Sequence, residues 1–575
     1  MDTSVVDATS VNVSSHLRRM AKTHPDRVAI YFPRYGVNPT GTTRYQTLTF
    51  RQLDLHSDAV AYGLARAGIS AGDCVAVMVP PSLEFFSLVF GLFKAAVVPV
   101  LIDPGLGVRG IGRCLDDAKP VAFIGITKAQ LARKLFGWGK STIRLTVNVG
   151  YWRCFCDQTF SDFVSAMEPR KPFAAPAVTA DDLAAIVFTS GSTGPAKGAV
   201  YTHGNFAAQL ELLKTTFRIE PGEMDLCTFP LFALFAPALG MTCVIPDMDF
   251  TRPARIDPAK AFAQIQQFEI TNLFGSPAVL RKLATAGSVP NKLMSLKRVI
   301  SAGAAVPAQV IEAFSRLLPD TAEIFTPYGA TEALPVACIG SREILTDTRY
   351  QTECGRGICV GRPLAGLEVR VIRISDESIP VWNDLLLLPQ GEIGEIVVRG
   401  PVVTRIYRNR PEATTLAKIQ DGDSFWHRMG DVGYFDESGR LWYCGRKSHR
   451  VITPTGTLFT EMIEGIFNAV PGVNRTALVG VQRNGVTYPV VCVEYKTPPR
   501  TANGVDEQLL RRAESFEMTR EIQTFLAHPG FPVDIRHNSK IFREKLAAWA
   551  DLKLGPKWQP SMPVITQVAS TEGSG

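Results

Sequence analysis

Short, wholly apolar runs alternate with helical repeats through the first half of this chain, and that alternation restricts the fold more than any other feature. Residues 50–67 have helical spacing and end at Gly68, a residue suited to a left-handed C-cap. Residues 74–79 read as a buried strand, 82–96 as a helix with Ser82 as its N-cap, and 97–102 as a second buried strand. Strands that are apolar on both faces and joined through helices predict a mostly parallel sheet with helices on either side. The rhythm returns later, with strands expected at 296–300 and 323–326 and a helix at 307–317. At 367–373 and 394–398 the pattern becomes alternating, as in antiparallel strands or a small barrel.

The length of 575 residues suggests about three or four structural lobes at roughly 100–200 residues per domain. The expected division is an N-terminal body over 1–445 and a small C-terminal α+β lid over 446–558. A polar tail, expected to be mobile, follows over 559–575. The break is placed at Gly445-Arg446-Lys447-Ser448. A chain that is 46% hydrophobic and 20% charged excludes disorder and coiled coil for most of its length. Sixty-one Lys and Arg against 54 Asp and Glu leave +7, too thin a surplus for a dedicated nucleic-acid surface. The eleven cysteines are scattered, with Cys154 and Cys156 in a CxC and no zinc spacing. They read as reduced core thiols suited to the cytoplasm. Met1-Asp2-Thr3-Ser4 lacks the basic and apolar regions of a secretory signal. The apolar stretches 85–93 and 231–246 fall short of the ~20 residues a membrane span needs, and so predict buried elements.

Chemistry concentrates in Thr189-Ser190-Gly191-Ser192-Thr193-Gly194-Pro195-Ala196-Lys197-Gly198, directly after the apolar strand expected at 183–188. Its glycines let backbone approach a ligand closely, its hydroxyls and N–H groups can surround phosphate oxygens, and Lys197 adds a cation. The lysine spacing is not that of a Walker loop, and Gly198 stands where Ser or Thr would be required. On residue evidence alone a hydroxyl-rich turn is the alternative.

The decapeptide resembles the phosphate loop of the adenylate-forming enzymes, which include acyl-CoA synthetases, adenylation domains of peptide synthetases and luciferases. Further signatures of that family follow in order: Tyr328-Gly329-Ala330-Thr331-Glu332, Gly391-Glu392-Ile393-Gly394-Glu395-Ile396, His427-Arg428-Met429-Gly430-Asp431-Val432-Gly433, Gly445-Arg446, and Asn538-Ser539-Lys540-Ile541-Phe542-Arg543. The last has Ser539 where glycine is usual. The resemblance spans nearly the whole chain and implies ATP and Mg²⁺. It implies that Lys540 contacts the reacting carboxylate and α-phosphate, that Thr189 to Gly194 with Lys197 hold the β- and γ-phosphates, and that Glu332 ligates Mg²⁺. Asp431 and Arg446 would contact the ribose, and Tyr328, with Gly303 in the Ser301-Ala302-Gly303-Ala304 turn, the adenine. Gly329, Ala330 and Thr331 complete that nucleotide site. Taken alone, Lys540 would read as a surface lysine, Glu332 as a loop carboxylate and Tyr328 as core.

The chain also departs from the family pattern. Pro230-Leu231-Phe232-Ala233 carries Ala233 where histidine is common, in surroundings that suit either a hydrocarbon tunnel or plain core packing. Ser448 stands at the hinge position, and Val451-Ile452-Thr453-Pro454-Thr455-Gly456 replaces a lysine- and glycine-rich turn. These departures resemble the branch that forms β-lactones in bacterial long-chain olefin biosynthesis. That resemblance implies a long-chain 3-hydroxy fatty acid substrate, and a complex with other enzymes of such a pathway. A long-chain acyl-CoA synthetase or acyl-AMP ligase shares the first half-reaction. A non-catalytic nucleotide-binding protein is the reading from another class. His449 and His537 are candidates for the base of a ring closure, or structural histidines.

Overall fold

A computed structural model describes residues 11–34, 44–153, 155–165, 171–189, 195–286, 292–497, 503–533 and 540–559. The helix expected after residue 50 runs over Phe50–Arg66, opened by a capping box between Thr49 and Gln52. Gly68 follows it with φ +69°. Helix Leu83–Lys94 begins where the hydroxyl of Ser82 accepts from the N–H of Phe85. It ends on the buried Lys94, whose Nζ donates to Asp58 Oδ1 at 2.7 Å and to Asp54 Oδ1 at 2.5 Å, so the cation enters the core paired.

These helices lie between two sheets. The smaller, seven-stranded sheet runs in the order Gln158–Thr159, Leu145–Val149, Ala122–Ile126, Cys74–Met78, Val98–Ile102, Leu183–Thr189, Lys197–Thr202. All its pairs are parallel except the last, where Thr189 stands opposite Lys197. The larger sheet has 14 strands. Its parallel half includes Thr242–Val244, Met224–Cys227, Asn272–Phe274, Arg298–Ile300 and Glu323–Ala330. The same hydrogen-bonded path continues into antiparallel strands Ala333–Gly340, Ile358–Pro363, Leu441–Arg446, Ser424–Phe435, Gly394–Arg399 and Glu368–Ile372. The alternating part of the sequence is therefore one end of the large sheet.

Apolar residues of both sheets, among them Val75, Ile124, Cys243 and Phe274, share one core with Phe50, Phe86 and Phe90. Residues 85–93 lie inside this core, and no helix among the described residues is long and apolar enough to cross a membrane. No disulfide links the described cysteines. After Arg446 the chain leaves the large sheet. It forms the hairpin Val451–Thr453/Gly456–Leu458, helix Thr460–Asn468 and a separate sheet of Val473–Arg483, Val486–Tyr495 and Phe525–Ala527, backed by helix Arg543–Leu554. Of the expected tail only residue 559 is described.

Candidate active site

Residues of several family signatures meet where strand Lys197–Thr202 of the small sheet approaches Thr331 and Tyr407. Strands Leu183–Thr189 and Lys197–Thr202 are antiparallel neighbours, so Thr189 and Lys197 bring the ends of the phosphate-loop motif together. Ser190, Gly191, Ser192, Thr193 and Gly194 lie outside the described residues, as does the side chain of Thr189. Gly198 is required by packing, since a Cβ there would sit 2.6 Å from the ring of Phe188.

Strand Glu323–Ala330 extends through Tyr328 and Gly329 and pairs with Ala333–Gly340, with Ala330 opposite Ala333. Thr331 and Glu332 are thus the tip of a hairpin. The tip is fixed from two sides: Tyr201 donates its hydroxyl to the carbonyl of Thr331, and the N–H of Thr404 donates to the carbonyl of Glu332 at 2.8 Å. The carboxylate of Glu332 accepts from the hydroxyl of Tyr407 at 2.5 Å. Burial and the adjacent Glu332 charge push the Tyr407 phenol up, so it stays protonated as the donor. Tyr407 belongs to a segment laid along Lys197–Thr202 by hydrogen bonds from Val200 N to Ile406 O and from Arg408 N to Gly198 O. Lys197 Nζ lies 5.3 Å from the centre of the Tyr407 ring. Lys197, Tyr407 and Glu332 therefore form one cluster. Its floor includes the buried Lys418, which donates to the carbonyl of Thr404 and is brought down to about 7 by burial despite the opposing pull of Glu332.

Asp431 and Arg446 face each other across strands Ser424–Phe435 and Leu441–Arg446, with Asp431 Oδ1 and Arg446 Nη1 2.9 Å apart. Oδ2 of Asp431 accepts from the hydroxyl of Tyr328 at 2.6 Å, while Oδ1 has no donor in hydrogen-bonding geometry. Burial raises Asp431, with Arg446 and Tyr328 pulling the other way; Glu332 and Lys540 also act on it. Lys540 therefore sits within the field of Asp431, although Ser539 and the rest of 534–539 are not described. Asp431 in turn is the main reason Arg446 is raised. Gly303, at φ +97°, follows strand Arg298–Ile300 in a conformation that side chains resist. Against the two carboxylates Glu332 and Asp431 stand the cations Lys197, Arg446 and Lys540, so the cleft carries a positive surplus suited to an anion.

A largely apolar cavity opens beside this cluster. Its walls include Ala302 and Pro327, neighbours in sequence of Gly303 and Tyr328, together with Phe232, Phe235, Leu239 and Phe274. Ala233 is fully buried next to it, and the rings of Phe232 and Phe274 stack at 4.2 Å. His449 is buried near Arg543 and Arg446 and lowered to about 3, chiefly by burial. A neutral imidazole of that kind is a weak proton acceptor at neutral pH; His537 lies outside the described residues.

The donor set fits nucleotide and metal without being a metal cage. Among the described residues no group of three or more His, Cys, Asp or Glu could hold an ion. Glu332 is a lone hard-oxygen donor, which suits Mg²⁺ only when phosphate oxygens complete the shell. Oδ1 of Asp431 is ion-paired with Arg446 but has no donor in hydrogen-bonding geometry, which leaves it able to accept from a ribose hydroxyl.

The family model for the AMP-binding enzyme matches residues 17–408. This chain belongs to the AMP-binding enzyme family. It is 49% identical over 549 residues to the olefin β-lactone synthetase of Stenotrophomonas maltophilia (strain K279a), covering 94% of this chain and 98% of the relative. It is 50% identical over 554 residues to the olefin β-lactone synthetase of Xanthomonas campestris pv. campestris, with the same coverage. Among solved structures, the fold resembles o-succinylbenzoate coenzyme A synthetase from Bacillus subtilis in complex with ATP and magnesium ion. The TM-score there is 0.72 at 21% identity, over 92% of this chain and 98% of that one.

Several residues of this candidate site and its cavity carried no sequence signal. Tyr407 and Lys418 are held by tertiary contacts alone. Asp225 had one: an acid inside the apolar strand Met224–Cys227.

Proposed function

We propose that the chain is an ATP-dependent β-lactone synthetase. A 2-alkyl-3-hydroxy long-chain fatty acid would be adenylated and then closed through its own 3-hydroxyl, releasing pyrophosphate and AMP. The observation that carries adenylation is the grouping of Glu332, Lys197, Asp431, Arg446 and the field of Lys540 at the mouth of an apolar cavity. The near-full-length relatives named olefin β-lactone synthetase support ring closure.

In this reading the carboxylate oxygen attacks the α-phosphorus and pyrophosphate leaves. Lys540 offsets the repulsion between the two anions and stabilises the charge that builds between them. Glu332, oriented by Tyr407, would hold Mg²⁺ together with phosphate oxygens, and the ion would supply charge neutralisation there. Asp431 and Arg446 hold the ribose, and Lys197 with the loop beginning at Thr189 holds the outer phosphates. The 3-hydroxyl oxygen then attacks the activated carbonyl and gives up its proton to solvent, the acyl–phosphate bond breaks, and AMP departs. Because nucleophile and electrophile share one molecule, effective molarities of order ~10⁵–10⁸ M set the upper limit, which ring strain reduces.

Residues 446–558 act in this reading as a lid that turns about Gly445 and Arg446 to carry Lys540. Unpaired thiols such as Cys227 and Cys243 are compatible with the reducing cytoplasm, where enzymes of the same pathway would assemble with it.

The test is product mass spectrometry with ATP, Mg²⁺ and a 2-alkyl-3-hydroxy fatty acid in the absence of any thiol. A product lighter than the acid by one water, with stoichiometric AMP, is expected. A thioester formed only on adding coenzyme A would overturn ring closure and leave adenylation.

A further inference from the structure

Six exposed large apolar side chains crowd residues 131–155. Leu131, Leu135 and Phe136 lie on helix Thr127–Phe136, and Tyr151, Trp152 and Phe155 in the loop after strand Leu145–Val149. Tyr151 is 99% exposed, Leu135 72% and Trp152 70%. The helix joins the adjacent parallel strands Ala122–Ile126 and Leu145–Val149 near the outer edge of the seven-stranded sheet. Three strands lie between Leu145–Val149 and the strand that ends at Thr189, so this surface is separate from the cleft.

The loop is clamped along the helix. Asn148 Nδ2 donates to the carbonyl of Trp152 at 2.8 Å and to Oγ1 of Thr127, the first helical residue, at 3.1 Å. Further on, Arg133 Nη2 donates to the carbonyl of Phe155 at 3.2 Å, and Lys134 Nζ lies 5.2 Å from the centre of that ring. The aromatic residues are thereby held beside the outer face of the helix, where Lys128, Leu131, Lys134 and Leu135 are exposed at helical spacing. Residues 127–165 carry six Lys and Arg against two acids, Asp157 and Asp162. Both acids are already engaged: Asp157 accepts from the N–H and hydroxyl of Thr146, and Asp162 from Arg153 and Thr159. Lys128 and Lys134 make no ion pair among the described residues.

A contiguous exposed apolar patch marks a surface that binds something. Its charge says what. Lysine is depleted from protein–protein interfaces, whereas anionic headgroups attract uncompensated lysines, and Trp and Tyr settle at the headgroup level. We infer that helix Thr127–Phe136 and the loop through Tyr151 and Trp152 form a docking surface for an anionic lipid bilayer. The helix lies in the plane of the interface, with Leu131 and Leu135 at the acyl boundary and the rings among the headgroups. Lys128 and Lys134 meet the lipid phosphates. This surface goes beyond the reading of the cleft and does not rest on it.

The experiment is cosedimentation of the full chain with vesicles of equal parts phosphatidylglycerol and phosphatidylcholine, and with vesicles of phosphatidylcholine alone. Binding to the mixed vesicles is expected, at least ~10-fold tighter than to phosphatidylcholine. It should be lost in about 1 M salt, where screening acts within about 3 Å. Lys128→Glu with Lys134→Glu, and separately Tyr151→Ser with Trp152→Ser, should each weaken it at least ~10-fold. All four side chains are exposed, so ATP–pyrophosphate exchange without vesicles is expected to stay within about twofold of the parent. A parent that does not sediment with the mixed vesicles, equal binding to both kinds, or variants that bind as the parent does would each overturn the surface. Self-association that the same variants abolish, without vesicle binding, would overturn the lipid and give the patch to a second copy of the chain.

Discussion

Both carboxylates of the cleft are steadied by a phenol, Glu332 by Tyr407 and Asp431 by Tyr328. Tyr407→Phe keeps the ring that Lys197 approaches and removes only the donor, so Glu332 loses its fixed direction. Pyrophosphate exchange is expected to fall about tenfold, the scale of one hydrogen bond to a charged group. An unchanged exchange rate would show that Glu332 needs no such support. Lys540→Ala removes the cation that the proposed reaction sets against the carboxylate and α-phosphate, and a loss of at least ~10²-fold in the same assay is expected. Equal rates in variant and parent would contradict the role given to Lys540. Asp225 gives a pH signature. Burial pushes it up to about 7, far above its ordinary value of 3.8. Between about 4 and about 7 the folded protein keeps a proton that the unfolded chain has released, so this group's contribution to stability is lost as pH rises through that window. Asp225→Asn cannot ionise. Its urea midpoint is expected to decline less between pH 5 and pH 7.5 than the parent's; parallel declines would mean that Asp225 does not titrate there.

Among the elements, the strands that carry the cleft are tied by a buried ion network. Arg428 on Ser424–Phe435 meets Glu395 on Gly394–Arg399 at 2.6 Å, and Lys447, just past the last strand of the large sheet, reaches the same carboxylate at 3.1 Å. Arg428 also donates to the carbonyls of Ser375, Glu377 and Leu416. Glu395→Gln would leave two buried cations without their anion. A loss of about 3–5 kcal/mol in urea unfolding is expected, and less than ~1 kcal/mol would show the pair to be dispensable. How much of this was legible varied with how local the signal was. Buried strands such as Cys74–Met78 and the cap at Ser82 could be read from the sequence, because each is written in adjacent residues. Glu392 to Ile396 and His427 to Gly433 were visible as separate motifs, but nothing local says that Glu395 pairs with Arg428. The strand expected at 323–326 runs four residues further, to Ala330. Pro327 and Gly329 ordinarily weaken a strand, and only pairing with Ala333–Gly340 overrides them. That override turns a motif into a hairpin tip and fixes where Glu332 points.

Taken whole, the molecule brings the residues after Arg446 against the body through apolar packing, with Phe459 and Met462 set on its core, and through polar contacts. Arg281 on helix Pro277–Ala284 donates to Asn474 Oδ1 at 3.1 Å, and Arg512 on helix Asn503–Glu514 donates to the carbonyl of Glu353 at 2.9 Å. Gly465 packs where a Cβ would stand 2.5 Å from the carbonyl of Thr352. In this arrangement Lys540 acts on Asp431, which agrees with the role proposed for it. Contacts of this kind are individually weak, because each exchanges one hydrogen bond for another made with water. In the proposed lid reading, the interface holds the adenylating arrangement and releases it for product to leave. Combining Arg281→Ala with Arg512→Ala would shift the lid away from this arrangement without touching the nucleotide. Pyrophosphate exchange is expected to fall about tenfold, the effect of roughly 1.4 kcal/mol, while the affinity of the body for AMP, followed by calorimetry, stays within about twofold. Loss of AMP affinity in step with exchange would mean that the contacts support the cleft itself. Unchanged exchange would mean that the lid finds Lys540's position without them.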